Sequence, residues 1–205
     1  ERHGCLVIGE DLGTVPPEMS HAMDDRAVYS YRVLLFAKRA DGSFIAPGEY
    51  PRRAIATVTT HDLPTLRGYW SGGDIDLRQR LSLYPNEETR QHVADERVRD
   101  RHALLGALAD TGLKPAAASA APDAYTDELA YAIHVYLAQT ASALVVLQAE
   151  DLAGMPDPVN VPGTHDEHAN WQRKMACRID ELFGRESVRT LLRDVADARA
   201  VAGQG

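Results

Sequence analysis

Cysteine is almost missing: Cys5 and Cys177 are the two thiols among 205 residues, and they stand far apart in the chain. A disulfide framework is therefore unsupported, a reducing compartment is the simpler setting, and both are expected as small buried side chains. No apolar run approaches the roughly 20 residues of a membrane span, and the opening Glu1-Arg2-His3-Gly4 has neither the basic region nor the apolar core of a signal peptide. A cytoplasmic protein without a membrane partner is the expectation. Positive charge is in deficit, with Lys and Arg at 22 against Asp and Glu at 30 and a formal net charge of −8. That balance argues against a nucleic-acid partner, which needs clustered cations, and favours a neutral or cationic substrate. Also missing are a Gly-rich phosphate loop, a Gly-x-Ser-x-Gly elbow and a Cys cluster, so nucleotide, serine-hydrolase and zinc-finger chemistry lack their signals. An initiator Met is absent and a strand begins almost at once, which reads as a cut piece whose N-terminal part is missing.

What is present is an ordinary globular composition, 44% hydrophobic and 25% charged. Four short apolar runs recur: Cys5 to Gly9, Tyr31 to Phe36, Ala54 to Thr59 and Ala143 to Leu147. None alternates strictly, as befits parallel strands buried on both faces. Helical segments separate them at Pro17 to Arg26, Leu63 to Trp70, Asp76 to Leu83, Glu87 to Asp110 and Asp127 to Thr140. Asn86 before Glu87 and Glu88, and Gly112 after the last turn, supply cap signals for the longest. The Ala- and Pro-rich stretch Lys114 to Pro122 reads as a connection within one catalytic domain spanning residues 1–205. Alternating strands and helices give an α/β fold, either an open doubly wound sheet or part of a barrel. Carboxylates at three strand ends favour the barrel, and about four parallel strands make this the C-terminal half of a (β/α)8 TIM barrel.

The first run ends in Glu10-Asp11-Leu12-Gly13, where a carboxylate is aimed into a barrel mouth; Glu10 is a candidate acid/base, unless Glu10 or Asp11 caps the next helix. The third run delivers His61-Asp62-Leu63-Pro64-Thr65. Asp62 can face a substrate there or act as the helix N-cap, with His61 a packed loop residue. Glu150 and Asp151 follow the fourth run, and a loop-capping or structural role suits them better than catalysis. Farther on, Asn160 and Asn170 can hydrogen-bond sugar hydroxyls, and Trp171 can stack on a pyranose face or fill the core. His165 and His168 flank Asp166 and Glu167, but no further ligands accompany them, so no metal site is expected. Asp180 lies in an amphipathic stretch from Trp171 to Phe183 and reads as a solvated helix residue.

Three blocks carry a resemblance: Gly9-Glu10-Asp11-Leu12-Gly13-Thr14-Val15-Pro16, Thr60-His61-Asp62-Leu63-Pro64-Thr65, and Val159 to Thr164 closing on Asn170-Trp171 and Arg173. Their order and spacing resemble the amylomaltase family of 4-alpha-glucanotransferases over nearly the whole chain, with Ala169 and Gln172 as minor departures. The resemblance implies retaining double displacement on α-1,4-glucans, with a maltooligosaccharide substrate and no cofactor. It makes Glu10 the general acid/base and Asp62 the transition-state stabiliser, with His61 and Asn160 contacting the sugar; Asp11, beside Glu10, is grouped with these substrate contacts. The family's nucleophile is an aspartate on an earlier strand, in an Arg-x-Asp context without a match here. A retaining α-amylase-type hydrolase, or an inactive barrel piece, is the alternative.

Overall fold

The computed structural model describes residues 3–202. Helix α1 (Pro17–Asp25) leads into strand β1 (Ser30–Val33), whose exit tightens into a 3₁₀ turn, Leu34–Phe36. Strand β2 (Ala54–Thr57) follows a second such turn, Pro47–Glu49. Four helices come next: α2 (Leu66–Ser71), α3 (Gly73–Arg80), α4 (Glu87–Asp110) and the single-turn α5 (Ala117–Ala120). Then α6 (Asp127–Ala138), strand β3 (Leu144–Val146), α7 (Ala149–Leu152), α8 (Ile179–Gly184) and α9 (Glu186–Ala202) complete the chain.

The three strands form one parallel sheet in the order β1-β2-β3, with Tyr31 opposite Ile55 and Ile55 opposite Leu144. The expected strand from Cys5 to Gly9 is reduced to a single parallel bridge, Ile8 to Tyr29, secured by Gly9 N–H donating to the Tyr29 carbonyl at 2.8 Å and Tyr29 N–H to the Val7 carbonyl at 2.9 Å. The described residues therefore hold three strands and a bridge rather than four strands. The bridge continues the same ladder beyond β1, and Leu6, Val7 and Ile8 stay exposed because nothing described covers that edge. For the same reason Cys5 is exposed, and Cys177 is half-buried; neither is the buried thiol expected from composition.

Local chemistry explains the helix boundaries. Asn86 Oδ1 accepts from Thr89 N–H at 2.8 Å and Thr126 Oγ1 from Leu129 N–H at 3.1 Å, so α4 and α6 start where their cap residues stand. Thr65 caps α2 by accepting from Gly68 N–H, which leaves Asp62 outside the helix and rules out the N-cap role for it. Helix α1 has no side-chain cap, so neither Glu10 nor Asp11 serves it. Gly72, with φ of 78°, turns the chain into α3 earlier than the apolar spacing suggests.

Ala56 of β2 and Val58 just beyond it pack with Leu66, Trp70, Leu104, Leu108, Leu129, Ile133 and Leu137 in the main core. On the outer side, α9 lies against α6 through Leu191 and Val195, and the Arg199 guanidinium donates to the carbonyls of Ala138, Thr140 and Ser142. A charged group locks α4 in place. Arg97 is bidentate to Asp74 at 2.7 and 2.8 Å and lies 3.5 Å over the Tyr69 ring, whose hydroxyl donates to Asp100; Lys38 reaches the same Asp100 at 2.8 Å. Among the described residues no helix is long and apolar enough to cross a membrane.

Candidate active site

Because the strands run parallel, the segments leaving Ile8, β2 and β3 emerge along one edge of the sheet, and each carries a carboxylate. Leu12 and Leu63, which follow Asp11 and Asp62, share an apolar cluster with Val33, Leu35 and Tyr69. That cluster brings the first two loops together.

Glu10 is exposed, and among the described residues no hydrogen bond or ion pair holds its carboxylate. It lies close enough to Tyr31 for its charge, after burial, to help raise that phenol's pKa. Asp11 is different. Its side chain is only 5% exposed, with Oδ1 accepting from Tyr31 N–H at 2.6 Å and Oδ2 paired to Arg32 at 2.9 Å. Both oxygens are engaged by β1, so Asp11 fixes the loop that presents Glu10.

Asp62 stands at the head of β2, above buried Thr59 and Thr60, with Thr60 Oγ1 accepting its backbone N–H at 3.2 Å. Its side chain is 47% exposed and held from two directions: Asn160 Nδ2 donates to Oδ1 at 2.6 Å, and His61 Nε2 lies 3.5 Å from Oδ2. The His61 ring meets the Trp171 indole, centroids 5.3 Å apart and tilted by 47°. Trp171 itself is exposed and sits at φ of 62°, a left-handed conformation that costs a bulky residue on the order of 1 kcal/mol. Hydrogen bonds offset that cost: Trp171 N–H donates to the Val159 carbonyl, and Asn170 Oδ1 accepts from Val161 N–H. The expected helix from Trp171 to Phe183 begins only at Ile179, because this hydrogen-bonded loop claims the preceding residues; Asp180 is exposed in the first turn of α8, paired with Arg178.

The third loop supplies the wall. Gln148 accepts from the Thr59 hydroxyl, and Glu150 pairs with Arg173 at 3.4 Å. Arg173 also donates to the Pro158 carbonyl, fastening residues 156–173 over the β3 exit. Thr60, His61, Glu150, Val159 and Trp171 line a cavity of about 160 Å3 between these loops. Asp151 turns the other way and caps α2, its Oδ1 accepting from Leu66 N–H at 2.7 Å, in keeping with a structural role. The arrangement can present an exposed carboxylate, a neighbouring imidazole, an amide donor and an aromatic face to one hydroxyl-rich ligand. The ties from Arg32, Gln148, Glu150 and Arg173 were not legible from spacing; of these four, Arg173 alone stands in a motif block, and only the loop packing pairs them.

A family model described as 4-alpha-glucanotransferase matches residues 1–179. A 4-alpha-glucanotransferase of Haemophilus influenzae is 38% identical over 202 residues, 98% of this chain and 29% of that protein. The Mycobacterium tuberculosis protein of the same name is 34% identical over 175 residues, 83% of this chain and 23% of that one. The chain thus spans under a third of the length of these curated relatives. Among solved structures, the amylomaltase of Corynebacterium glutamicum superposes with a TM-score of 0.80 at 30% identity, covering 96% of this chain and 29% of that chain. A Streptococcus agalactiae amylomaltase in complex with acarbose gives 0.57 at 17% identity, a likeness in fold alone, over 94% of this chain and 31% of that one.

Proposed function

Since the chain belongs to the 4-alpha-glucanotransferase family, we propose that it forms the acid/base and stabilising side of an active site that moves α-1,4-glucan segments between maltodextrins. The observation that carries this reading is the fixing of Asp62 between Asn160 and His61 beside the exposed Trp171 ring.

In this proposal Asp62 is the anionic stabiliser. Asn160 orients it, so that its free lone pairs meet sugar hydroxyls whose hydrogen bonds strengthen as the ring gains oxocarbenium character. His61 contacts the sugar in the donor subsite, and Trp171 offers a face for stacking. Glu10 protonates the departing glycosidic oxygen and then deprotonates the acceptor hydroxyl. Asp11, its oxygens committed to β1, acts on substrate only by holding Glu10 and Arg32 in place. The attacking carboxylate comes from the part of the relatives' length that this chain does not span. Alone, the 205-residue chain is therefore expected to be inactive.

A hybrid tests this reading: the chain replaces the matching 202-residue stretch of the Haemophilus influenzae 4-alpha-glucanotransferase and is incubated with maltotriose. Longer maltodextrins with free glucose support transfer. Glucose and maltose without longer products support a hydrolase of the α-amylase type, and an inert but folded hybrid removes the proposed roles.

A further inference from the structure

The head of α2 stands between the two segments that meet at Asp62. Thr65, Leu66, Arg67 and Gly68 follow closely on Asp62, and each engages residues 151–156, which lead on to Asn160. Thr65 Oγ1 donates to the Pro156 carbonyl at 3.1 Å, Leu66 N–H to Asp151 Oδ1 at 2.7 Å, and the Arg67 guanidinium to the Gly154 carbonyl at 3.0 Å. Gly68 approaches so closely that a Cβ there would collide with the Pro156 oxygen. Four consecutive residues thus grip one short stretch of the neighbouring loop.

Of the four, Thr65 serves both sides through a single atom. Its hydroxyl oxygen accepts from Gly68 N–H at 3.0 Å, which caps α2, while its hydrogen goes to Pro156. A cap needs only the acceptor. The donated hydrogen is a separate tie, and at 5% exposure water does not readily replace it.

Beyond Pro156 the segment is cross-linked on itself. Trp171 N–H donates to the Val159 carbonyl at 2.9 Å, Val161 N–H to Asn170 Oδ1 at 2.9 Å, and Asn170 Nδ2 to Thr164 Oγ1 at 2.8 Å. A displacement at Pro156 is therefore passed on to Asn160 and Trp171 rather than absorbed. The contact it would reach is short and open to solvent: Asn160 Nδ2 lies 2.6 Å from Asp62 Oδ1, and the Asp62 side chain is 47% exposed. Packing around these two side chains does not fix their separation, so the backbone beneath them must, and hydrogen bonds weaken steeply with misalignment.

We propose that Thr65 is a positioning residue: by clasping the head of α2 to Pro156, its hydroxyl sets the contact between Asn160 and Asp62. The consequence for turnover rests on the role given to Asp62, whereas the consequence for the contact does not.

Two measurements keep these apart. In the chain itself, the Asn160 side-chain amide is followed by proton–nitrogen NMR and assigned through Asn160→Ala. Thr65→Val keeps size and branching but removes the hydroxyl, and should shift the signal; Thr65→Ser should return it. Thr140→Val strips an equally buried hydroxyl from the entry to β3, at the other end of the sheet, and should leave the signal in place. In the hybrid, Thr65→Val should lower kcat for maltotriose about threefold with KM little changed. Thr65→Val combined with Asn160→Ala should be no worse than Asn160→Ala alone, because one residue acts through the other. Thr65→Ala serves if the valine variant misfolds. An Asn160 signal that stays put in the Thr65 variants, or moves equally in Thr140→Val, overturns the proposal, and so do additive losses in the double variant. A hybrid that is inert before any substitution removes the role given to Asp62, and the NMR comparison then decides alone whether Thr65 sets the contact.

Discussion

Asp151→Asn isolates the cost of burying one carboxyl. In the folded chain Asp151 accepts from Leu66 N–H, but burial, the largest influence, and the nearby Glu150 raise its pKa from 3.8 to about 7. A carboxyl whose folded pKa lies above its unfolded one binds more protons when folded. Stability should therefore fall as pH rises from about 4 to about 7 and level off above that. A shift of this size, at about 1.4 kcal/mol per unit, amounts to about 4 kcal/mol in full, of which about 3 kcal/mol falls between pH 5 and pH 8. Asparagine keeps the acceptor for Leu66 and the shape of the side chain while removing the charge. Urea unfolding of both proteins at pH 5 and pH 8 measures the difference. The variant should gain on the wild type by about 3 kcal/mol between the two pH values. Parallel stability profiles for the two proteins would refute the burial argument.

Three further perturbations follow from other contacts. Asn160→Ala removes the 2.6 Å donor to Asp62; because Asp62 is half exposed, the loss is about 1 kcal/mol, seen as a roughly fivefold drop in kcat of the hybrid with its melting temperature unchanged. Arg97→Met leaves Asp74, 12% exposed, without its bidentate partner and should destabilise the chain by about 3–5 kcal/mol in urea. Gly68→Ala places a Cβ 2.4 Å from the Pro156 carbonyl oxygen, a backbone atom that cannot swing aside; stability should fall by about 1–3 kcal/mol, and transfer by the hybrid should fall with it as residues 156–173 shift.

The elements most legible in the sequence were those with their own local chemistry. Helix α4 runs over the expected residues because Asn86 caps it and Thr111-Gly112 ends it. The parallel α/β class followed from unalternating apolar runs, and the sheet bears it out. Pairing partners were less accessible: whether Cys5 to Gly9 becomes a strand depends on what pairs with it, and among the described residues that is a single bridge to Tyr29. Helix α9 was missed although Val188, Leu191 and Val195 stand at helical spacing, since its apolar face has meaning only against α6. At the site, the motif blocks pointed to Asp62, His61 and Asn160, and the fold brings these three together with Trp171. Asp11 and Glu10 are adjacent in sequence yet differ in surroundings, one engaged by β1 and the other open, a distinction that only tertiary packing creates.

The role given to Asp62 is tested most directly by kcat and KM for maltotriose in the hybrid carrying Asp62→Asn. The substitution keeps the contact to Asn160 possible and removes the charge, so kcat should collapse while KM changes little. Near-normal kcat in a folded Asp62→Asn hybrid would contradict the account.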